Sequence, residues 1–304
     1  MKIAILCAGQ GSQYAEMGTA FYNGNETYKQ TINQLNETVP FDLVALLNTP
    51  NDLLDQTAYT QPAIVAMTVG IGKAVAEKGI TTDFYAGLSL GEYSALTLAG
   101  ALTEAEVIPL VHTRGQFMQA AAPGIGAMAA VLGIERSVIA DVCLETPGIV
   151  EIANYNCPGQ IVIGGEKEAV ATASETLKTL GARRVLPLNV SGPFHTSLLA
   201  PAAQKLAPEL AKIKWQKPHV PVIRNIDAKP YEDTFVYELA KQVESSVYWE
   251  DSIRYLLDQG VDTFIEIGPG KVLTGFVKKI DRTVKTYTIE TPEQLASVTE
   301  QLSQ

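Results

Sequence analysis

The segment Gly87-Leu88-Ser89-Leu90-Gly91 constrains the fold of this chain more than any other. It follows a short apolar run at 84–87, which predicts a buried strand, and it precedes residues 92–99, which predict a helix. A strand that turns this sharply into a helix leaves no room for side chains two residues before and after the apex, and glycine also tolerates the unusual dihedral angles. The pattern predicts a serine exposed at the apex of a tight turn, where the free N–H groups of a helix N-terminus favour an anion.

Short apolar runs alternate with helical segments through most of the chain. Strands are predicted at 3–6, 84–87, 220–225 and 263–267, and helices at 61–78, 92–99, 103–119, 198–213, 235–245, 249–258 and after Gly268-Pro269-Gly270. Pro62 is expected in the first turn of its helix, where a missing N–H is tolerated. The alternation favours a mostly parallel sheet covered by helices on both faces.

The middle of the chain has a different pattern. Elements in the order β-α-β-β-α-β are predicted at 127–132, 135–144, 149–154, 160–163, 166–180 and 183–188, which is typical of a ferredoxin-like unit. The predicted fold class is therefore α/β, with a large α/β-hydrolase-like body and an inserted small ferredoxin-like α+β subdomain. The body is expected to span residues 1–124 and 190–304, and the subdomain residues 125–189.

Composition and charge exclude several classes of protein. The 304 residues include 33 acidic and 23 basic side chains, a net charge of −10, and no run of Lys or Arg, so a nucleic-acid partner is not expected. Three widely separated cysteines form neither a disulfide framework nor a metal-binding spacing, which fits a reducing compartment. The apolar run at 3–6 is too short for a signal peptide, and the uncharged segment 115–134 is interrupted by Pro and Gly. We expect a cytoplasmic protein with no membrane partner and no metal.

Ser89 is a candidate nucleophile, although the same serine could simply cap the helix that follows. Glu92, three residues later, would complete a capping box under either interpretation. A serine nucleophile requires a base, and the chain has three histidines. His195 lies in a loop after the predicted subdomain and is favoured over His112, within a helix, and His219, between two prolines.

An oxyanion hole near Ser89 would need two N–H donors. One is expected from Leu90, which follows the nucleophile. The other is expected from the loop Gly9-Gln10-Gly11 after the first strand, where glycines let the backbone approach closely. The same loop is not a dinucleotide-binding fingerprint, because Tyr14 occupies the position of the third glycine.

Six motifs in order resemble the malonyl-CoA:acyl carrier protein transacylases and, more broadly, the acyltransferase domains of fatty acid and polyketide synthases. They are GQGSQ at 9–13, GLSLGEYSAL at 87–96, RGQFMQ at 114–119, NYNCPGQ at 154–160, GPFH at 192–195 and EIGPGKVL at 266–273. The resemblance covers nearly the whole chain.

The resemblance implies a role for each matching residue. Ser89 would attack the thioester of malonyl-CoA, His195 would be the base, and the N–H groups of Gln10 and Leu90 would hold the oxyanion. The phosphopantetheine thiol of acyl carrier protein would then accept the malonyl group, with no cofactor beyond the coenzyme A thioester. Arg114 would bind the free malonyl carboxylate, which a planar guanidinium can do bidentately and which acetyl groups lack. Without the resemblance, Arg114 would be interpreted as a surface arginine of a helix.

Further residues carry weaker expectations from the same resemblance. Gln61, Phe194, Asn154 and Asn156 are candidates for the substrate pocket, with Phe194 favouring malonyl over methylmalonyl groups. The two asparagines and Gln61 could equally be amides that satisfy backbone groups. Tyr248 occupies the position where the family often has a glutamine whose backbone carbonyl orients the histidine, so the resemblance implies that role for the Tyr248 carbonyl; no acidic third member is evident.

Acyl carrier proteins of this family are acidic, so docking on an acidic chain requires a local basic patch. The candidates are Lys271, Lys278, Lys279 and Arg282, which could also be ordinary solvated charges. Two other functions remain open from the sequence: a serine acyl hydrolase or thioesterase acting on acyl thioesters, and a non-catalytic assembly partner. A monomer is expected from the length of the chain.

Overall fold

The computed structural model describes residues 1–121, 124, 126–190 and 192–303. The strands are β1 (Ile3–Cys7), β2 (Phe84–Gly87), β3 (Gly126–Leu132), β4 (Val150–Cys157), β5 (Gln160–Glu166), β6 (Arg184–Pro187), β7 (Val222–Ile223), β8 (Thr263–Ile267) and β9 (Lys285–Ile289). The helices are α1 (Thr19–Gly24), α2 (Glu26–Asn36), α3 (Leu43–Asn48), α4 (Thr57–Glu77), α5 (Gly91–Leu98), α6 (Glu104–Ala121), α7 (Arg136–Glu145), α8 (Lys167–Thr179), α9 (Ala200–Leu210), α10 (Phe235–Val243), α11 (Trp249–Asp258), α12 (Val272–Ile280) and α13 (Pro292–Leu302). Short 3-10 helices span Asp52–Asp55 and Ser197–Leu199.

The larger sheet is parallel and has the strand order β7-β2-β1-β8-β9. Every residue of its central strand β1 and of β8 is buried, as expected for strands covered on both faces. The carboxyl ends of β2 and β8 meet the end of β1, where Cys7 pairs with Gly87 on one side and with Ile267 on the other. The turns that leave these three strands therefore lie side by side, at the edge where open α/β sheets bind ligands.

The smaller sheet is antiparallel and has the order β4-β5-β3-β6. With α7 and α8 between its strands, it shows the predicted β-α-β-β-α-β order and the strand arrangement of a ferredoxin-like unit. The mixed α/β fold class is thus confirmed. The predicted boundary at residue 125 lies outside the described residues, and the division into two domains stays a prediction.

Helix α4 is buried on all sides between α2, α5 and α6, and its start corrects one expectation. It begins at Thr57, so Pro62 lies inside the helix and not in its first turn. Pro62 has no N–H to donate to the carbonyl of Ala58, four residues earlier. The Nδ1–H of His112 on α6 donates to that carbonyl at 2.7 Å, so a side chain from the neighbouring helix satisfies the acceptor that proline leaves free.

Two regions were left unassigned by the sequence patterns. Residues 19–55 form α1 to α3 and a 3-10 helix, and the C-terminus adds strand β9 and helix α13. The predicted strand at 220–225 is reduced to the two residues of β7. Among the described residues, no helix combines the length and apolar character needed to cross a bilayer.

Candidate active site

Ser89 lies at the apex of the turn between β2 and α5, with the conformation that the glycine pattern predicts. Its φ angle is +51°, which places a non-glycine residue in the left-handed region. A Cβ atom on Gly87 would lie 2.0 Å from the backbone of Gly91, and one on Gly91 would lie 2.1 Å from the carbonyl oxygen of Cys7. The turn is therefore too tight for side chains at either glycine, and the predicted reason for both is confirmed.

The side chain of Asn225, just after β7, bridges the two ends of this turn. Its Oδ1 accepts from the backbone N–H of Ser89 at 2.5 Å, and its Nδ2 donates to the carbonyl of Gly87 at 2.8 Å. These two contacts satisfy backbone groups that the turn leaves without partners. Asn225 is 1% exposed and was not identified from the sequence.

His195 is buried beside the C-terminus of α10. Its backbone N–H donates to the carbonyl of Val243 at 3.2 Å, and its Nδ1 lies 2.8 Å from the carbonyl oxygen of Gln242. Because a carbonyl only accepts, Nδ1 carries the hydrogen and Nε2 keeps its lone pair. The last carbonyls of a helix carry its negative dipole end, so α10 would also stabilise a positive charge forming on this imidazole.

Burial and the nearby Arg114 lower the pKa of His195 to about 4, so the ring is neutral at pH 7. The expectation for Tyr248 was wrong, because the carbonyl that orients His195 belongs to Gln242. The carbonyl of Tyr248 accepts instead from the backbone N–H and the hydroxyl of Ser252, in the first turn of α11. A carbonyl used by its own helix is not available to the histidine.

The other two histidines lie elsewhere in the fold. Both ring nitrogens of His112 already have hydrogen-bond partners. Nδ1 contacts the carbonyl of Ala58, and Nε2 lies 3.1 Å from the side-chain amide of Gln116. His219 is exposed on the surface. Of the three, His195 alone lines a cavity together with Ser89.

Arg114 of α6 is buried directly behind the serine, with 1% of its surface exposed. Its Nη2 donates to Ser89 Oγ at 3.2 Å and to Gln242 Oε1 at 2.9 Å, and its Nη1 donates to Gln61 Oε1 at 2.9 Å. All three acceptors are neutral oxygens. The arginine is therefore not the surface residue suggested by sequence alone, and burial lowers its pKa. A buried guanidinium without a carboxylate in direct contact is suited to an anionic ligand.

Two further buried residues complete the surroundings of Arg114. The Nε2 of Gln242 donates to the carbonyl of Ser89 at 3.0 Å and to Glu92 Oε2 at 2.7 Å. Glu92 also accepts from the backbone N–H of Asn225 at 3.2 Å and from the hydroxyl of Tyr231. The sequence suggested only a capping role for Glu92 and gave no signal for Gln242.

A cavity of about 550 Å³ opens on Ser89 and His195. The predicted pocket residues Phe194 and Asn154 line it, as does Gln10. Gln61 contacts the site through Arg114 and through Gln10 Oε1, at 3.2 Å. The rest of the wall is mixed: apolar side chains such as Leu88, Met118, Met128, Val162 and Leu188 alternate with the polar residues Gln13, Asp55, Thr57 and Asn189.

The oxyanion hole at the backbone N–H groups of Gln10 and Leu90 stays a prediction, and both groups are free to take that role. Neither has an acceptor within the described part of the chain. Gln10 lines the cavity beside Ser89, and Leu90 follows the serine immediately before α5. Free N–H groups next to a nucleophile are available to a developing oxyanion.

The remaining predicted residues lie outside the cavity. Asn156 is buried on β4 but is not part of the cavity wall. The basic residues Lys271, Lys278, Lys279 and Arg282 are all exposed, the first preceding α12 and the others at or beyond its end. Lys279 Nζ donates to Gln160 Oε1 at 2.8 Å. Within the described residues, no group of three or more His, Cys, Asp or Glu side chains could hold a metal ion.

Comparison with known proteins agrees with this geometry. Residues 5–297 match the family described as "Acyl transferase domain". The malonyl CoA-acyl carrier protein transacylase of Bacillus subtilis is 43% identical over 97% of this chain and 95% of its own length. The crystal structure of the malonyl CoA-acyl carrier protein transacylase from Clostridium perfringens superimposes with a TM-score of 0.97 at 41% identity, covering 100% of this chain and 98% of that one.

A malonyl-transacylase solved in complex with a type II polyketide synthase acyl carrier protein superimposes with a TM-score of 0.96 at 38% identity, over 99% of this chain and 100% of that one. The match to the family spans more than nine tenths of the chain, and the relatives are covered over almost their full length. This chain is an acyltransferase and belongs to the acyl transferase domain family.

Proposed function

We propose that this acyltransferase transfers a malonyl group from malonyl-CoA to the phosphopantetheine thiol of an acyl carrier protein, through a malonyl ester on Ser89. The proposal is carried by the position of the Arg114 guanidinium. It is buried, lies 3.2 Å from Ser89 Oγ, and donates only to neutral oxygens. A malonyl group on Ser89 would place its free carboxylate one methylene beyond the ester carbon, close to that guanidinium. The names of the relatives support the same substrates.

In the first half-reaction, Ser89 Oγ attacks the thioester carbon while His195 Nε2 takes the hydroxyl proton. The oxyanion of the tetrahedral intermediate lies between the N–H groups of Gln10 and Leu90. The intermediate collapses with cleavage of the C–S bond, and His195 returns the proton to the departing coenzyme A thiol. The carbonyl of Gln242 keeps Nδ1–H in place throughout, so a helix terminus has the orienting role that a carboxylate has in a Ser-His-Asp triad.

In the second half-reaction, the phosphopantetheine thiol enters the cavity that coenzyme A has left. His195 takes the thiol proton, the sulfur attacks the ester carbon, and the C–O bond to Ser89 breaks. The serine oxygen recovers its proton from His195, so the enzyme returns to its initial state. These reaction steps require no cofactor besides the thioester itself. All the residues that they use belong to one copy of the chain, so we propose that the enzyme acts as a monomer, and we place it in the cytoplasm.

Arg114 also provides the selectivity for malonyl groups. A malonyl carboxylate pairs with the buried charge, whereas an acetyl group leaves that charge without a partner. The ring of Phe194 in the cavity wall would crowd an α-methyl substituent and so disfavour methylmalonyl groups. The exposed lysines near the end of α12 would provide local positive charge for an acidic carrier protein.

The test is a steady-state assay with malonyl-CoA and holo acyl carrier protein, in which free coenzyme A and malonyl carrier protein are measured in parallel. We expect the two products in equal amounts and parallel double-reciprocal plots, as a covalent intermediate requires. Release of coenzyme A without malonyl carrier protein would instead indicate the acyl hydrolase, which the comparisons do not support.

A further inference from the structure

A single buried side chain contacts the nucleophile turn and the arginine, and its own backbone contacts the histidine. The amide of Gln242 accepts from Arg114 Nη2 at 2.9 Å and donates to the carbonyl of Ser89 at 3.0 Å. Its backbone carbonyl lies 2.8 Å from His195 Nδ1. Gln242 is completely buried on the last turn of α10, so these contacts are shielded from water.

The orientation of this amide is determined by its neighbours. The guanidinium of Arg114 only donates, so it requires the amide oxygen on its side. The carboxylate of Glu92, 2.7 Å from Nε2, only accepts when ionised and requires the NH2 group on the other side. A flipped amide would place an N–H against a guanidinium and an oxygen against a carboxylate, and it would lose three hydrogen bonds.

Glu92 is itself held by groups from other elements. The Tyr231 hydroxyl donates to Oε1, and the backbone N–H of Asn225 donates to Oε2 at 3.2 Å. Burial raises the pKa of Glu92 to about 7, and these donors together with Arg114 oppose that rise. The Glu92 carboxylate is 1% exposed, so its hydrogen-bond partners are protein groups and not water.

We propose that Gln242 and Glu92 are positioning residues for malonyl recognition: Glu92 fixes the amide of Gln242, and that amide holds the Arg114 guanidinium beside Ser89. Neither side chain lines the cavity. The inference rests on the proposed function, because it assigns to these residues the geometry of the malonyl-binding arginine. Removing the amide leaves the backbone carbonyl of residue 242, so the orientation of His195 is retained while that of Arg114 is relaxed.

The readout is the ratio of the loading rate constants for malonyl-CoA and acetyl-CoA, measured as acyl-enzyme formation. A folding defect lowers the active fraction and therefore both rates equally, so the ratio responds only to the site. Gln242→Met removes the amide at nearly constant volume and is expected to lower the ratio about tenfold, the effect of one hydrogen bond of about 1.4 kcal/mol. Gln116→Met is the matched control, a glutamine to methionine change on the exposed face of α6, and it should leave the ratio unchanged.

Variants of Glu92 test the second half of the proposal. Glu92→Gln keeps an acceptor toward Gln242, because the Tyr231 hydroxyl can rotate to accept from the new amide, and it should retain most of the ratio. Glu92→Met removes the acceptor and should lower the ratio as Gln242→Met does. If Glu92→Met does not fold, Tyr231→Phe, which frees only Oε1, should produce a smaller loss in the same direction.

The outcomes separate this inference from the proposed function. If the wild-type chain does not favour malonyl-CoA, or if Arg114→Met leaves the ratio as it is, the proposed function is wrong. If the wild-type chain favours malonyl-CoA and Arg114→Met lowers the ratio, but Gln242→Met keeps the wild-type ratio, the positioning role alone is refuted. Equal ratios in Glu92→Gln and Glu92→Met would show that the acceptor at residue 92 has no such role.

Discussion

Replacing Arg114 by methionine should convert a malonyl-selective enzyme into one with little preference. Methionine has a similar length and an unbranched, flexible side chain, so helix α6 should be retained at this buried position. The change takes one donor from the oxygens of Ser89, Gln61 and Gln242 but leaves no carboxylate partner unpaired, which limits the cost in stability. The loss should therefore fall on the substrate carboxylate and not on the fold.

The magnitude follows from the contacts that the guanidinium gains and gives up. Two hydrogen bonds to a carboxylate, at about 1.5–3 kcal/mol each, contribute about 3–6 kcal/mol, and the contact with Ser89 Oγ that is given up is worth about 1 kcal/mol. The net effect is about 2–5 kcal/mol, which at about 1.4 kcal/mol per factor of ten corresponds to roughly 30- to 4,000-fold slower malonyl loading. Acetyl loading makes no such contact and should change little.

The assay is rapid-quench formation of the acyl-enzyme from each thioester under single-turnover conditions. Arg114→Lys serves as a second variant, since its ammonium keeps the charge but not the planar, bidentate geometry, and it should fall between wild type and Arg114→Met. If malonyl and acetyl loading decrease by the same factor in Arg114→Met, the arginine does not recognise the carboxylate and the reasoning is refuted.

Two further predictions concern the base and the docking surface. By NMR, the ring of His195 should stay neutral down to about pH 5, since its pKa is about 4. Arg114→Met removes a neighbouring positive charge and should raise that pKa. A wild-type titration midpoint near pH 6.5 would contradict the assigned burial of the ring. Reversal of Lys278 and Lys279 to Glu should slow transfer to carrier protein but spare loading from malonyl-CoA, and equal slowing of both steps would count against a docking role. The control reverses two other exposed lysines, Lys205 of α9 and Lys212, two residues after that helix.

The sequence predicted most of what depends on local pattern. The turn around Ser89 follows from two glycines at fixed spacing. The parallel sheet follows from the alternation of short apolar runs with helices. These features are encoded within a few residues of one another.

What depends on contacts between distant segments was not predictable in the same way. Gln242 and Asn225 are far along the chain from the nucleophile turn that they hold, at separations of 153 and 136 from Ser89. No local pattern marks a buried amide of this kind. The resemblance placed the histidine-orienting carbonyl at Tyr248, whereas the structure has it at Gln242. Pro62 was expected in a first turn because the helix was predicted to begin at residue 61 and not at Thr57; inside the helix it is tolerated through His112, which comes from another helix.

Short helices and an edge strand were also missed by the sequence patterns. Helices α1 and α3 have six residues each, too few for a helical period to be evident, although Asp42 caps α3 by accepting from the N–H of Ala45 at 2.8 Å. Strand β9 lies at the edge of the sheet and is only partly buried, so it lacks the apolar run that predicted β1 and β8. Where packing and not local preference determines an element, the sequence alone gives a weak signal.

The most direct test of the account is the mass of the intact protein after brief incubation with malonyl-CoA. We expect a malonyl adduct on the wild-type chain that is absent from Ser89→Ala and is discharged by holo acyl carrier protein with formation of malonyl carrier protein. An adduct that persists in Ser89→Ala would contradict the assigned nucleophile. An adduct that forms on Ser89 but is released only as free malonate would contradict transfer to a carrier protein.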